Sequence, residues 1–475
     1  MKHSIVPGKI LVPFILLTSL FFAWAVPNNL TDTMLAAFKR IMSLSDSKTA
    51  WIQVVCYLLG YGCCAIPGAM FIKKYTYKSG VLLGLSLFAG GCFLFYPAML
   101  CLQINANVSF IVYLFAIFIL FAGLSVLETS ANSYVYAIGP EETATRRLNL
   151  SQSFNPFGAV AGVVISQVFV LSQLNLLTAS ERASLPAGEL ADVQLLELNS
   201  VTMTYVVLGL VMVGLLLAIL FTRMPNLREG GQKAELGATF KRLAKNKNYV
   251  WGVVAQFFYV GAQISVWSFV IRYTMQQLDL NGVVASLGAN ASSADVVTAL
   301  RHVEPVAAGF YNICEAIGLN DLLPRTSEQA GATYYILSLV LFVVARFTCT
   351  GLMKYFKPRA ILTTLALTAI LCCMLTVYGS GFAGVYALMG ITACMSLMFP
   401  TIYSMGIRGL GEDTKIGGAG MVMAIAGAAV LTQIQGIVSD SSSIQLAYWI
   451  PAVAFAVIAY YGWVICKKYE NANFS

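Results

Sequence analysis

Apolar stretches of twenty or so residues recur along the chain, separated by segments that hold nearly all of its charge. They lie near residues 11–38, 50–72, 80–101, 108–138, 148–173 and 200–222, then near 249–276, 329–353, 360–379, 382–408, 416–438 and 446–466. A helix rises about 1.5 Å per residue, so about twenty residues cross a hydrocarbon core of about 30 Å. Each stretch therefore predicts one spanning helix, and together they predict an all-α membrane protein with twelve transmembrane helices. The polar segment 223–248, with Gly230-Gly231 and a basic cluster, divides them six and six. It reads as a cytoplasmic linker between an N-terminal bundle, 1–222, and a C-terminal bundle, 249–475.

Two echoes support a duplication. Gly139-Pro140-Glu141-Glu142-Thr143 follows the fourth stretch and Gly411-Glu412-Asp413-Thr414-Lys415 follows the tenth. Gly68 with Lys73, Lys74 and Lys78 closes the second stretch, as Gly351 with Lys354, Lys357 and Arg359 closes the eighth. Parallel repeats of this kind build large secondary transporters. Two external insertions break the symmetry, Ser172–Ser200 and Gln277–Glu328. Val296, Val297, Leu300 and Val303 predict one short surface helix within 295–318 of the second.

Composition agrees. The chain is 58% hydrophobic and 11% charged, against about 25% charged in globular proteins, which excludes an ordinary soluble, disordered or coiled-coil protein. The net charge of +8 is a topology signal. Basic clusters such as Lys73-Lys74, Arg146-Arg147, Lys241-Arg242 and Lys467-Lys468 fall on one set of alternate segments, while Lys39, Arg40, Lys48, Arg182, Arg301 and Arg325 fall on the other. Positive loops stay on the cytoplasmic side, so both termini are expected inside and no nucleic-acid partner is expected. The first stretch lacks a signal-peptide cleavage site and runs on into Asn28, Asn29 and Asp32. Most of the 11 cysteines fall in or beside the apolar stretches, where cysteine packs as a small hydrophobe, and neither a disulfide framework nor structural zinc is expected.

The acids carry the most information. Of 21 Asp and Glu residues, only Asp32 and Glu128 fall well inside apolar stretches. A carboxyl in lipid is costly and usually faces a cavity that moves ions or substrate. Removal from water also raises a carboxyl pKa, which favours proton exchange near neutrality. The bland alternative is a permanently protonated acid that hydrogen-bonds between helices. Glu128 lies ten residues before Ile138, hence roughly 15 Å from that helix end and near the midplane. Ser125, Glu128, Thr129, Asn132 and Tyr136 form a polar stripe around it. Trp24, Asn28 and Asp32 form another, Gln152 and Asn155 a third, and Gln256, Tyr259, Gln263 and Trp267 a fourth. Amides, carboxylates and aromatic rings suit a neutral sugar, whose hydroxyls need donors and acceptors and whose apolar face packs on rings. Any single stripe is equally compatible with buried amides that only join helices, each for about 0.6 kcal/mol. Four stripes favour a wet cavity. Arg346 in the eighth stretch and Arg272 in the seventh read as structural or gating residues.

Other chemistry is missing from the sequence. His3 and His302 are the only histidines and lie outside the stretches. No phosphate-binding glycine loop, metal-ligand cluster or nucleophile elbow is present, which argues against an ATP-driven pump or an enzyme.

Several segments resemble the fucose permease family of sugar–proton symporters. They are Phe21-Phe22-Ala23-Trp24-Ala25-Val26 with Asn28-Asn29-Leu30-Thr31-Asp32, Leu127-Glu128-Thr129-Ser130-Ala131-Asn132, and Arg147-Leu148-Asn149-Leu150-Ser151-Gln152-Ser153-Phe154-Asn155. Tyr259-Val260-Gly261-Ala262-Gln263, Arg346-Phe347-Thr348 and Phe399-Pro400-Thr401-Ile402-Tyr403-Ser404 continue the match. The resemblance implies the major facilitator fold, with a sugar bound between two bundles that rock about it. It puts the family's two essential acids on Asp32 and Glu128 and its cavity amides on Asn155 and Gln263. It implies that Glu128 touches sugar and that one or both acids carry the coupled proton. Pro27, Pro156 and the 277–328 insertion depart from the family pattern, and the superfamily's usual loop aspartate is missing beside Gly68.

The resulting expectation is a multi-pass protein of a bacterial inner membrane that imports L-fucose or a related hexose with a proton by alternating access. It is expected to act as a monomer among membrane lipids, with no cofactor beyond the coupling proton and no metal. Asp32 and Glu128 are assigned to the proton and Arg346 to gating. Glu128, Asn132, Asn155, Gln152, Gln263, Asn28, Trp24, Tyr259 and Trp267 are assigned to the sugar. The rival readings are a symporter of glucose, galactose or an N-acetylated amino sugar, a non-transporting sugar sensor, sodium coupling, and a membrane-embedded enzyme.

Overall fold

A backbone in hydrocarbon must pair its own N–H and C=O groups, and every regular element among the described residues is a helix. The structure, a computed structural model, describes residues 6–42, 51–52, 54–170, 182, 184–225, 236–287, 293–303, 305–319, 322–324 and 327–473; the side chains of 31–37 are not among those described. Eleven of the described helices are long and apolar enough to cross a membrane. They match the predicted stretches, with one exception. The fifth stretch is broken into Ala144–Gln152 and Asn155–Phe169 around Ser153 and Phe154. Pro156 lies in the first turn of the second piece and has no N–H with which to continue the first. Pro27, by contrast, sits inside an unbroken helix, Leu11–Ile41.

Two further differences have physical causes. The sixth spanning helix starts at Ala187, inside the predicted external insertion. Glu189, Asp192 and Glu197 depress the hydropathy there without opposing helix formation, and Arg182 forms a bidentate ion pair with Glu197, both side chains almost fully buried. The predicted single helix within 295–318 is two, Ser293–Val303 and Pro305–Ala316, because proline is suited to start a helix and not to continue one. Val296, Val297 and Leu300 are buried as their spacing requires; the side chain of Val303 lies outside the described residues. The insertion is packed onto the eighth spanning helix, Ser327–Leu352, where the Tyr311 hydroxyl donates to Thr333 Oγ1 at 3.4 Å. Burial, with Glu315 beside it, pushes the Cys314 thiol up.

By packing, the chain forms two compact units, Met1–Phe257 with Pro400–Ala429, and Phe258–Phe399 with Val430–Ser475. The six-plus-six division at 223–248 rests on the sequence echoes. In the first unit, glycines let helices approach until backbones touch, which is how membrane helices associate without a hydrophobic driving force. A Cβ at Gly84 would sit 2.7 Å from the Leu127 backbone nitrogen, so the third and fourth spanning helices, Tyr77–Leu100 and Ala106–Ala137, are in close contact. A Cβ at Gly158 would collide with the Phe22 carbonyl, which brings the fifth helix against the first. Part of the linker is also helical, Leu236–Lys245. Thr239 and Leu243 are its buried face, and Arg242 pairs with Asp413 through two contacts of 2.7 Å.

Candidate functional site

The close contacts in the first unit bring three of the predicted polar stripes together. Glu128 is only 7% exposed, on the inward face of the fourth spanning helix. The hydroxyl of Tyr61, from the second, interacts with the side chains of both Asn28 and Glu128. One turn on, Asn132 Nδ2 donates to the Glu128 backbone carbonyl at 2.9 Å, and Gln152 Nε2 donates to Asn132 Oδ1 at 2.9 Å. The first, second, fourth and fifth stretches thus meet in one polar cluster around Glu128. Asn155, half-buried, donates to the Phe21 carbonyl at 3.2 Å, and Trp24 is buried with its ring 4.3 Å from that of Phe21. Asn155 thus joins the fifth helix to the first, and Trp24 packs within the first. Asp32 lies in the first spanning helix, but its side chain is outside the described residues.

The cluster retains unused hydrogen-bonding capacity. Asn28 Oδ1 and Thr129 Oγ1 are buried and have no partner among the described residues. Buried polar atoms are costly unless something bonds to them, so the cluster is suited to a ligand that carries hydroxyl groups. Below it, Ser133 and Tyr403 share a hydrogen bond of 3.0 Å, and Asn149 donates to Thr401 Oγ1 at 3.4 Å. Arg147 is wholly buried and donates to the carbonyls of Val135, Tyr136 and Pro140 and to Thr143 Oγ1, which fastens the loop after the fourth helix.

In the second unit, the seventh helix carries Tyr259, Gln263 and Trp267. Tyr259 is fully buried and donates to the Met395 carbonyl at 3.0 Å. Gln263 is half-buried. Trp267 meets Phe342 edge to face at 5.5 Å, and the Arg346 guanidinium lies 4.6 Å over that same Phe342 ring. Arg346, 3% exposed, also donates through Nε to the Ser396 carbonyl and interacts with Tyr259. The Trp267 indole N–H has no partner among the described residues. Gln256, on the first-unit portion of the same helix, is buried, and neither of its amide atoms has a partner among the described residues. Arg272 lies 4.3 Å over the Phe269 ring.

Tyr61 and Tyr403 are the functional candidates that the sequence reading passed over. Tyr403 lies within the Phe399–Ser404 segment, and its approach to Ser133 is a contact of distant segments that spacing does not show. Tyr61 is one of 23 tyrosines, and only the three-dimensional contact with Asn28 and Glu128 separates it from the rest. Among the described residues no group of three or more His, Cys, Asp or Glu is placed to hold a metal ion.

Comparison with known proteins gives consistent results. The family model of the Major Facilitator Superfamily matches residues 13–426. An L-fucose-proton symporter of Haemophilus influenzae is 33% identical, the match covering 98% of this chain and 100% of that protein. A glucose/galactose transporter of Brucella abortus is 28% identical over 95% of this chain and 93% of its own. The crystal structure of the E. coli fucose:proton symporter FucP superposes with a TM-score of 0.76 at 33% identity, covering 95% of this chain and 98% of that one.

Proposed function

The chain belongs to the Major Facilitator Superfamily, in its fucose permease branch, and on that premise we propose that it carries L-fucose or a related hexose together with a proton by alternating access. It is a transporter and not an enzyme. The observation that carries the reading is Glu128, a buried carboxyl at the centre of an amide and hydroxyl cluster. An ionised carboxylate held away from water is costly, while a protonated one is far less so and can donate to a sugar hydroxyl. Proton binding at Glu128 therefore favours both sugar binding and the movement of the loaded site across the membrane. Asp32 is the second proton-carrying candidate, by resemblance.

The polar residues share the remaining work. In the first unit Asn28, Asn132 and Gln152 present amides to sugar hydroxyls, with Asn155 and Trp24 in support. In the second, Tyr259, Gln263 and Trp267 supply an aromatic face and a further amide. Arg346, held by Ser396 and Phe342, acts as a gate. The basic loops favour cytoplasmic termini in a bacterial inner membrane. The protein works in this reading as a monomer in lipid, with no cofactor but the coupling proton.

Counterflow of radiolabelled L-fucose in proteoliposomes, with unlabelled sugars as competitors, tests the substrate. Displacement by L-fucose at lower concentration than by glucose or galactose is the expected result. Preference for glucose or galactose would favour the second sugar class, to which the Brucella relative points.

A further inference from the structure

The second spanning helix is not regular where it meets the candidate site. Val54–Cys63 is wound as a π-helix before the chain resumes α-helical geometry at Cys64. Such a widened turn shifts the register of every side chain beyond it and is common at functional sites. Its most buried large side chain is Tyr61, at 1% exposure. The helix is drawn onto the fourth one at Gly60, where a Cβ would sit 2.6 Å from Phe121 Cβ. The Tyr61 ring then lies edge-on to Phe121 at 6.0 Å and parallel to Tyr57 at 6.5 Å, and its backbone carbonyl accepts from Ser125 Oγ at 3.5 Å. Phe121, Ser125 and Glu128 form one face of the fourth helix, and Tyr61 lies along it with its hydroxyl against Glu128 at one end and Asn28 beside it.

We infer that Tyr61 is a positioning residue of the transport cycle: its hydroxyl accepts from the Asn28 amide and donates to the Glu128 carboxylate, holding that carboxyl in the orientation from which it takes up its proton. An amide can donate and a phenol can do both, so the chain Asn28 to Tyr61 to Glu128 runs in one chemical direction. The Asn28 carbonyl oxygen has no partner among the described residues, in keeping with this order. The titratable groups that interact with Glu128 among the described residues are Tyr61 from the second helix and Tyr403 from the tenth. Asp32 of the first helix is outside the described side chains. The inference rests on the symport reading for its meaning in transport but not for its geometry.

Tyr61→Phe removes the hydroxyl and nothing else. A hydrophobic carbodiimide labels buried carboxyls in their protonated form, so the extent of labelling at Glu128, read by peptide mass spectrometry across pH, reports its protonation without any sugar. Loss of a hydrogen bond to the carboxylate favours the protonated form. The half-labelling pH is expected to rise by about one unit in Tyr61→Phe, and by less in Asn28→Ala, at an unchanged melting temperature. A profile in Tyr61→Phe that superposes on the wild type would overturn the inference. If Tyr61→Phe fails to fold, an unshifted profile in Asn28→Ala overturns it instead. Wild-type vesicles that do not accumulate L-fucose under a proton gradient would sink the transport reading separately, while the labelling comparison still decides the role of Tyr61.

Discussion

Gln152 donates its side-chain amide to the Asn132 carbonyl oxygen at 2.9 Å and so joins the broken fifth helix to the fourth, one turn from Glu128. Both residues are buried, and the bond fixes the orientation of each amide. Gln152→Leu is expected to lower sugar affinity about tenfold, since it leaves the Asn132 oxygen unpaired for a cost of about 1–3 kcal/mol. A double-mutant cycle with Asn132→Leu checks the coupling by counterflow affinity, which is expected to be non-additive by about 0.5–2 kcal/mol.

Close helix contact makes a second prediction. Gly158→Ala places a methyl group against the Phe22 carbonyl, and overpacking of this kind costs about 1–3 kcal/mol. That exceeds the gain of about 1 kcal/mol that alanine brings to a helix. Gly90 has no neighbour within 4 Å of an added Cβ, so Gly90→Ala is the control. Thermal unfolding in detergent is expected to fall for Gly158→Ala and hold or rise for Gly90→Ala.

Two ion pairs described in the first unit differ in burial, and their loss should differ accordingly. Arg182 and Glu197 are 3% and 2% exposed, whereas Arg242 is 57% exposed in its pair with Asp413. Glu197→Gln leaves a buried guanidinium unpaired and is expected to cost about 3–5 kcal/mol. Asp413→Asn is expected to cost about 1 kcal/mol or less, with a salt dependence that the buried pair lacks. Unfolding midpoints at low and high salt separate the two.

Arg346 stacks on Phe342 and donates to the Ser396 carbonyl at the same time. A lysine cannot reproduce a flat guanidinium that does both. Arg346→Lys is expected to slow uptake at least tenfold while leaving sugar affinity within about threefold. A rate equal to that of the wild type would remove Arg346 from the gate.

The spans were legible because lipid sets the length of a helix and penalises charge, so apolar runs and rare acids are strong signals. Glu128 stood out for the same reason. Three features were hidden. The break before Asn155 depends on one proline whose effect varies, since Pro27 leaves its own helix intact. The early start of the sixth helix was masked by Glu189, Asp192 and Glu197, which look like loop residues until Arg182 neutralises one of them. Tyr61 depends on a π-helical turn, and no periodicity rule anticipates a change of register. The polar stripes marked which helices to watch, but they did not show that Gln152 binds Asn132 and that Asn155 binds the Phe21 backbone.

In the proposed cycle a proton on Glu128 drives sugar accumulation. The most direct test of this coupling is uptake of radiolabelled L-fucose into proteoliposomes under an imposed inward proton gradient, comparing wild type with Glu128→Gln, and with a sodium gradient as control. The wild type is expected to accumulate sugar above its external concentration only with the proton gradient, and Glu128→Gln to lose accumulation. Equal accumulation by Glu128→Gln, or a response to sodium alone, would contradict the account.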